Sequence, residues 1–185
     1  MKRQRVYVAP PTARDRADFI AAGKSSRPLH RSWVTMRFDD KTFDAYLKRS
    51  RSPDHACFIV RRTEDDALVG VININQIIRG FFHSAFLGYY GFRPFDGHGY
   101  MSEALQLVLR QAFTKLKLHR LEANIQPDNM ASIALAKRCG FRHEGRSLRY
   151  LKIAGRWRDH ERFAITIEDW KKLRSATKAR RHEGE

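Results

Sequence analysis

The stretch Asp96-Gly97-His98-Gly99-Tyr100-Met101 sets two glycines between a strand-like segment and the clearest helix of the chain. Downstream, Met101, Ala104, Leu105, Val108, Leu109, Ala112, Phe113 and Leu116 recur at helical spacing. Upstream, Ser84 to Tyr90 reads as a strand. The first N–H groups of a helix lack internal partners, and the helix dipole adds positive potential there. A diphosphate is the natural ligand of such a cradle. Gly97 and Gly99 carry no Cβ, so main chain can approach it closely. Arg93 and His98 can add charge. A dinucleotide-binding loop would need a third glycine where Ser102 stands, and no complete Gly-x-x-x-x-Gly-Lys-Ser/Thr phosphate loop occurs. Taken alone, the glycine pair is better explained as an ordinary strand-to-helix turn.

Outward from this loop, Arg5 to Ala9 reads as a strand stopped by Pro10-Pro11, and Thr12 can cap a helix through Phe19 and Ile20. Asp39-Asp40 precedes a second helix with Phe43, Tyr46 and Leu47 on one face. Cys57 to Val60 and Leu68 to Ile78 form a hairpin about Glu64-Asp65-Asp66, and Arg79-Gly80 turns the chain into the Ser84 strand. Leu121 to Ile125 is a short strand, Asp128 caps another helix, and Gly140 takes its left-handed end. Leu148 to Ile153 and Phe163 to Ile167 flank the turn Ala154-Gly155-Arg156. The order βααβββαβαββα predicts a mixed α/β fold, with a mostly antiparallel twisted sheet of about seven strands and helices on both faces. Residues 1–170 read as a single domain, and 171–185 as a basic C-terminal helix fraying into a tail.

The composition supports this. A chain of 185 residues suits one domain with a substantial core, and 42% hydrophobic with 11% aromatic residues argue against disorder. Lys and Arg number 36 against 20 Asp and Glu, a net charge of +16. That charge attracts a phosphorylated cofactor, RNA or a ribosomal surface, and it also suits a soluble basic surface without a specific partner. No apolar run approaches the about 20 residues of a membrane helix. The basic start through Arg5 leads into no apolar signal segment. Cys57 and Cys139 have no spacing typical of a disulfide framework or metal site. The expectation is a cytoplasmic protein without membrane attachment.

A second segment decides what the glycine loop binds. About thirty residues on come Gln126-Pro127-Asp128-Asn129-Met130-Ala131-Ser132 and then Gly140-Phe141. With these the sequence resembles the GNAT acetyltransferases. It is most similar to the RimJ/RimL-type ribosomal-protein alanine N-acetyltransferases, through Leu68-Val69-Gly70-Val71, Ile78 to His83, Leu87-Gly88-Tyr89 and Gly155-Arg156-Trp157-Arg158-Asp159-His160. The resemblance implies a GNAT-like fold, acetyl-CoA as acetyl donor and no metal. It departs from the usual pattern in three places. Pro94 stands where an Arg or Gln often opens the loop, Ala136 where many members have a Tyr acid, and Phe86 where some have a Glu.

By that resemblance, main chain of Tyr90, Gly91, Phe92 and Arg93 would pair with pantetheine, and N–H groups near Tyr90 and Gly91 would stabilise the oxyanion. The loop Gly97, His98, Gly99, Tyr100, Met101 and Ser102 would hold the diphosphate. Asn129 would hydrogen-bond the pantetheine or thioester region, although Asp128 and Asn129 are also good helix-start residues. Ser132 would protonate the departing thiolate, and a small capping residue explains it equally well. A thiol of reference pKa about 8.5 needs little help to leave. His83 is the candidate base for the incoming amine. Glu103 is better explained by the helix dipole. Trp33, Trp157 and Asp159 would shape the acceptor groove.

The acceptor implied is a protein N-terminus, Ala or Ser, of a ribosomal protein, and the charge suits work near ribosomal RNA. Two alternatives remain open at this level: acetylation of a small amine such as an antibiotic or polyamine, and a non-catalytic RNA- or ribosome-binding module of the same fold. Oligomeric state is not legible in the sequence.

Overall fold

The computed structural model describes residues 4–30, 33 and 37–182. The strands are β1 (Val6–Ala9), β2 (Ala56–Arg62), β3 (Leu68–Ile78), β4 (Ser84–Gly91), β5 (Arg120–Ile125), β6 (Arg142–Ile153) and β7 (Arg156–Thr166). The α-helices are α1 (Arg16–Ser25), α2 (Arg27–His30), α3 (Asp40–Arg49), α4 (Tyr100–Arg110), α5 (Met130–Arg138) and α6 (Ile167–His182). All seven strands join one sheet in the order β1-β2-β3-β4-β5-β7-β6. The β4–β5 pair is parallel, and every other pair is antiparallel. The expected mixed α/β fold is present, with helices on both faces.

Each face has its own core. One holds Val60, Val69, Ile72, Leu87, Leu105, Leu109, Leu121 and Phe163 under α4, α5 and α6. The other holds Phe19, Phe38, Phe43, Tyr46, Ile59, Val71 and Phe92 under α1 and α3. Coverage on both sides explains why β2 and β3 read as continuous apolar runs rather than alternating ones. Phe19 stacks on Tyr46 at 5.4 Å and meets Phe43 at 5.2 Å, which fixes α1 against α3.

Several boundaries differ from the sequence expectation. Asn129, not Asp128, caps α5: its Oδ1 accepts from Ser132 N at 3.2 Å. The last hairpin is longer than its apolar residues suggested, because β6 is largely exposed and its alternation is broken by two bulges. Ile167 opens α6 instead of ending a strand. The long helix after the glycine loop leaves α geometry at Gln111–Lys115, where Leu116 N bonds Gln111 O at 3.0 Å in a π-type turn. The basic end is helical through His182, and Trp170 packs on Phe113 at 5.4 Å. Residues 183–185 lie outside the described ones. Among the described residues, no helix is long and apolar enough to cross a membrane.

Two glycines set the height of α4 above the sheet. A Cβ on Gly70 would stand 2.7 Å from both Met101 Sδ and Tyr90 O, and one on Gly91 would stand 3.2 Å from Met101 Cγ. Met101 therefore packs on bare backbone of β3 and β4, and the first turn of α4 lies close against the end of β4. Gly70→Ala should cost about 1–3 kcal/mol by overpacking, read as a lower urea midpoint with unchanged m-value.

Candidate active site

The site begins where the sheet divides. Parallel pairing of β4 with β5 covers only Ser84↔Arg120, Ala85↔Leu121 and Phe86↔Glu122. Both strands continue, β4 to Gly91 and β5 to Ile125, without pairing to one another. Main chain on the facing edges of Leu87–Tyr89 and Ala123–Ile125 is thus open to another partner. Tyr89 bridges the opening: its hydroxyl donates to Ser132 O at 3.0 Å. Burial holds the Tyr89 phenol well above its ordinary pKa, so it stays protonated. Sequence reading missed this contact because it joins residues 43 apart.

The glycine loop closes one end of the opening. Gly97 has φ 79° and Gly99 φ 80°, a left-handed conformation that disfavours any Cβ. Gly99 caps α4, its carbonyl accepting from Ser102 N and Glu103 N at 3.1 and 3.2 Å. Among the described residues, no acceptor meets the backbone N–H of Gly97, His98, Gly99, Tyr100 or Met101. Unpaired N–H donors together with a helix dipole are what an anion cradle requires. His98 folds back, Nδ1 on Asp96 O at 2.8 Å, and stacks on Tyr100. Tyr100 lies under the Arg5 guanidinium at 4.8 Å. Arg5 Nε bonds Glu103 at 2.7 Å, so an arginine and not only the dipole accounts for Glu103. On the other flank Arg138 of α5 donates to Ser102 Oγ at 3.2 Å and has no acidic partner among the described residues. Arg138 is a basic group beside the cradle that sequence reading did not select, since only the fold brings the end of α5 to the start of α4.

The four residues before the loop are less open than expected. Phe92 is fully buried and its N–H bonds Val69 O at 2.7 Å. Arg93 N–H is held by Ser26 Oγ at 2.9 Å, and Gly91 O by His30 Nε2 at 2.7 Å. Tyr90 turns into the α1–α3 core beside Phe92 and His30. Free main chain for a pantetheine arm is therefore concentrated before Phe92.

Asn129 and Ser132 meet at the start of α5. The Asn129 Oδ1 is spent on the cap, and the Ser132 hydroxyl has no hydrogen-bond partner among the described residues. His83 is not brought to this place. It is exposed at the start of β4, where its carbonyl accepts from His119 N at 2.7 Å. Eight residues of strand put it about 26 Å from Gly91, at the closed end of the β4–β5 pair. Trp33 follows α2, its N–H on His30 O at 2.8 Å. Trp157 is exposed on β7, four residues past the Ile125↔Glu161 pair, about 13 Å beyond the end of β5. Asp159 holds the bulged part of β6, accepting from Arg149 N and Arg146 Nη2 at 2.8 Å each, which keeps its carboxyl below the usual range. Along β7 both alternate with Phe163 and Ile165, on the α5 side of the sheet.

The opposite face of the opening is polar. Glu122, Asn124, His160 and Arg162 share it with Tyr90 and Gly88. Burial alone would raise the Glu122 carboxyl, but hydrogen bonds from Arg162 and Arg120 outweigh it and hold the pKa low. Both cysteines are buried, and burial pushes Cys139 up to about 11, so neither is a ready nucleophile. Among the described residues no cluster of three metal-ligating side chains occurs.

Comparisons with known proteins agree with this geometry. The chain matches the acetyltransferase (GNAT) domain over residues 5–142 and belongs to that family. It is 33% identical over 177 residues to the probable N-acetyltransferase YjcK of Bacillus subtilis (strain 168), across 91% of this chain and 98% of that one. It is 39% identical over 107 residues to the ribosomal protein uS5-alanine N-acetyltransferase of Escherichia coli (strain K12), a match spanning 58% of this chain and 55% of that protein. The solved structure of Mycobacterium smegmatis RimJ in complex with CoA-disulfide aligns with TM-score 0.81 at 29% identity, over 93% of this chain and 89% of that one. The chain is an N-acetyltransferase of the GNAT fold.

Burial lowers the pKa of His30, and also that of His160. A histidine whose folded pKa lies below its unfolded value binds fewer protons when folded, so stability is full above about pH 6.5 and falls as pH drops toward the folded pKa. His30→Gln keeps a donor for Gly91 O and removes one titration. Its urea stability should fall less steeply below pH 6.5 than wild type, by at most about 1.4 kcal/mol per pH unit.

Proposed function

We propose that the protein transfers acetyl from acetyl-CoA to a primary amine, the N-terminal α-amino group (Ala or Ser) of a ribosomal or other protein. The observation that carries the donor half is the divided β4–β5 pair with a cradle of unpaired N–H groups at its end. A linear thioester arm needs main-chain partners along its length and an anion site at its diphosphate, and both are present. RimJ of Mycobacterium smegmatis, a solved relative 29% identical to this chain, is in complex with CoA-disulfide. The acceptor half is supported by likeness to the enzyme acting on uS5 alanine.

Acetyl-CoA supplies the activated acetyl group. The cradle from Gly97 to Met101 holds the diphosphate, with Arg138 beside it. Open main chain of β4 orients the arm and offers N–H donors to the oxyanion near Tyr90. An α-amine has pKa about 7.7–8.0, so a useful fraction is neutral near pH 7.5 and a water-mediated base suffices. His83 is too distant to be that base. Ser132 Oγ, without a hydrogen-bond partner among the described residues, would protonate the thiolate.

Thiol release from acetyl-CoA with a panel of acceptors is the test: peptides with free Ala or Ser termini, ribosomal proteins, polyamines and aminoglycosides. Turnover of a small amine with inert peptides overturns the acceptor, and no acetyl-CoA binding at millimolar concentration overturns the donor. Gly99→Ala must hold a left-handed Cβ at about 1–2 kcal/mol, so acetyl-CoA affinity by calorimetry should fall about tenfold. Ser132→Ala should lower kcat less than about tenfold, since the thiolate leaves readily.

A further inference from the structure

Two adjacent aromatic side chains stand in water at the turn between β3 and β4. Phe81 is fully exposed, Phe82 is 69% exposed, and Ile78 at the end of β3 is 45% exposed. A single exposed apolar side chain is ordinary, whereas several at one point mark a binding surface. The turn is pinned on one side. Arg79 Nη1 donates to Leu116 O at 2.5 Å, and His83 O accepts from His119 N at 2.7 Å. Gly80 and His83 hold left-handed backbone, at φ 65° and 40°. Folding thus fixes the turn and leaves its two rings uncovered.

The same contacts join the turn to a line of cations. Lys115 and Lys117 are exposed on either side of Leu116, the residue that Arg79 holds. Ile167 N bonds His119 O at 2.9 Å, so α6 starts beside them. Glu168 faces His119, with Nε2 to carboxylate 3.2 Å. Lys171 and Lys172 are exposed three and four residues on, along the same side of the helix. Among the described residues, Arg79, Lys115, Lys117, Lys171 and Lys172 have no carboxylate partner. The two acids of this region are engaged, Glu168 with His119 and Asp169 with Arg142. On the β2 side the charge is mixed: Asp54 O accepts from Ile77 N at 2.8 Å, and Arg51 stands three residues before it. The unpaired cations therefore form a stripe that leads away from the rings on the α6 side.

We infer that this end of the molecule binds single-stranded RNA. Net charge alone would draw any polyanion, and the local pattern is narrower. An unpaired strand presents phosphates in a line and flat bases that stack on aromatic rings. Lysines without acidic partners, leading from two exposed phenylalanines, match both. A duplex keeps its bases stacked inside and leaves the rings without partners. An anionic membrane is met best by cations on all sides of an apolar point, which the Asp54 side does not supply. The eight residues of β4 separate this surface from the glycine loop by about 26 Å. A bound strand leaves the opening free, and the inference does not depend on the acetyl-transfer reading.

The test is fluorescence anisotropy of the full chain with a labelled single-stranded RNA oligonucleotide, with and without millimolar acetyl-CoA. Phe81→Ala/Phe82→Ala should raise Kd at least about tenfold. Lys115→Gln/Lys117→Gln should weaken binding at low salt and flatten the slope of log K against log salt by about 1.4, the share of two phosphates. Both variants change exposed side chains, so the melting temperature should stay unchanged or rise and acetyl-CoA affinity should stay within twofold. Duplex RNA should bind more weakly, and equally to wild type and the Phe variant. An RNA Kd for the Phe variant within twofold of wild type overturns the surface. So does release of RNA from wild type by acetyl-CoA, which would mean that the RNA had occupied the glycine loop. Anionic phospholipid vesicles that bind wild type and not the Phe variant, without RNA binding, overturn RNA in favour of a membrane. A wild-type dimer in sedimentation that the Phe variant dissociates overturns it in favour of a second copy. A chain that binds no acetyl-CoA, yet loses RNA in the Phe variant, supports this surface and overturns only the donor reading.

Discussion

Parallel pairing between β4 and β5 stops after Phe86 and Glu122, and most of the molecule is arranged around that stop. A sheet does not leave backbone N–H and C=O groups open in its middle without a reason, since each unpaired buried group costs roughly what a lost hydrogen bond costs. The two strands are held apart by what packs on them. On one face Tyr89 reaches Ser132 and keeps α5 over the gap. On the other, α1 and α3 cover β2 to β4, and among the described residues no helix packs on Glu122, Asn124 and Arg162. The closed end is fixed by His83 O, which accepts from His119 and Arg120.

Glycine is used in two distinct ways around this opening. Gly97 and Gly99 supply left-handed backbone, which aims N–H groups at one point. Gly70, Gly88 and Gly91 have no such dihedrals. They supply missing volume: Gly70 and Gly91 let Met101 settle on the sheet, and Gly88 leaves a strip of main chain bare. Met101, which belongs to the loop by sequence, consequently serves the cradle through packing, with its side chain turned into the sheet.

The division between what the chain alone disclosed and what it hid follows range of interaction. Elements with a strong period and a local cap were legible: Asp39 caps α3 through Thr42 N at 2.8 Å, and Gly140 ends α5 at φ 91°. The left-handed glycine turn before α4 was legible for the same reason, being written in six consecutive residues. The hairpin of β6 and β7 was only half legible, because exposed strands with bulges carry no clean alternation. Arg138 beside Ser102 and Tyr89 across to Ser132 were illegible. Each depends on residues brought together from different elements. His83 shows the converse error. It lies near the cofactor strand in sequence and at its far end in space.

Charge follows the same logic of partners. With 36 basic residues against 20 acidic ones, carboxylates are the scarce groups, and the fold engages many of them inside networks. Asp15 and Asp18 hold Arg61, while Glu122 and Glu144 bind Arg120, with Arg162 and Arg142 at the two ends of that chain. Acids placed in this way orient arginines at the sheet and leave the outer surface strongly positive. Such a surface draws in a polyphosphate donor at long range whatever the acceptor is. Net charge therefore argues for the cofactor more directly than for any ribosomal partner.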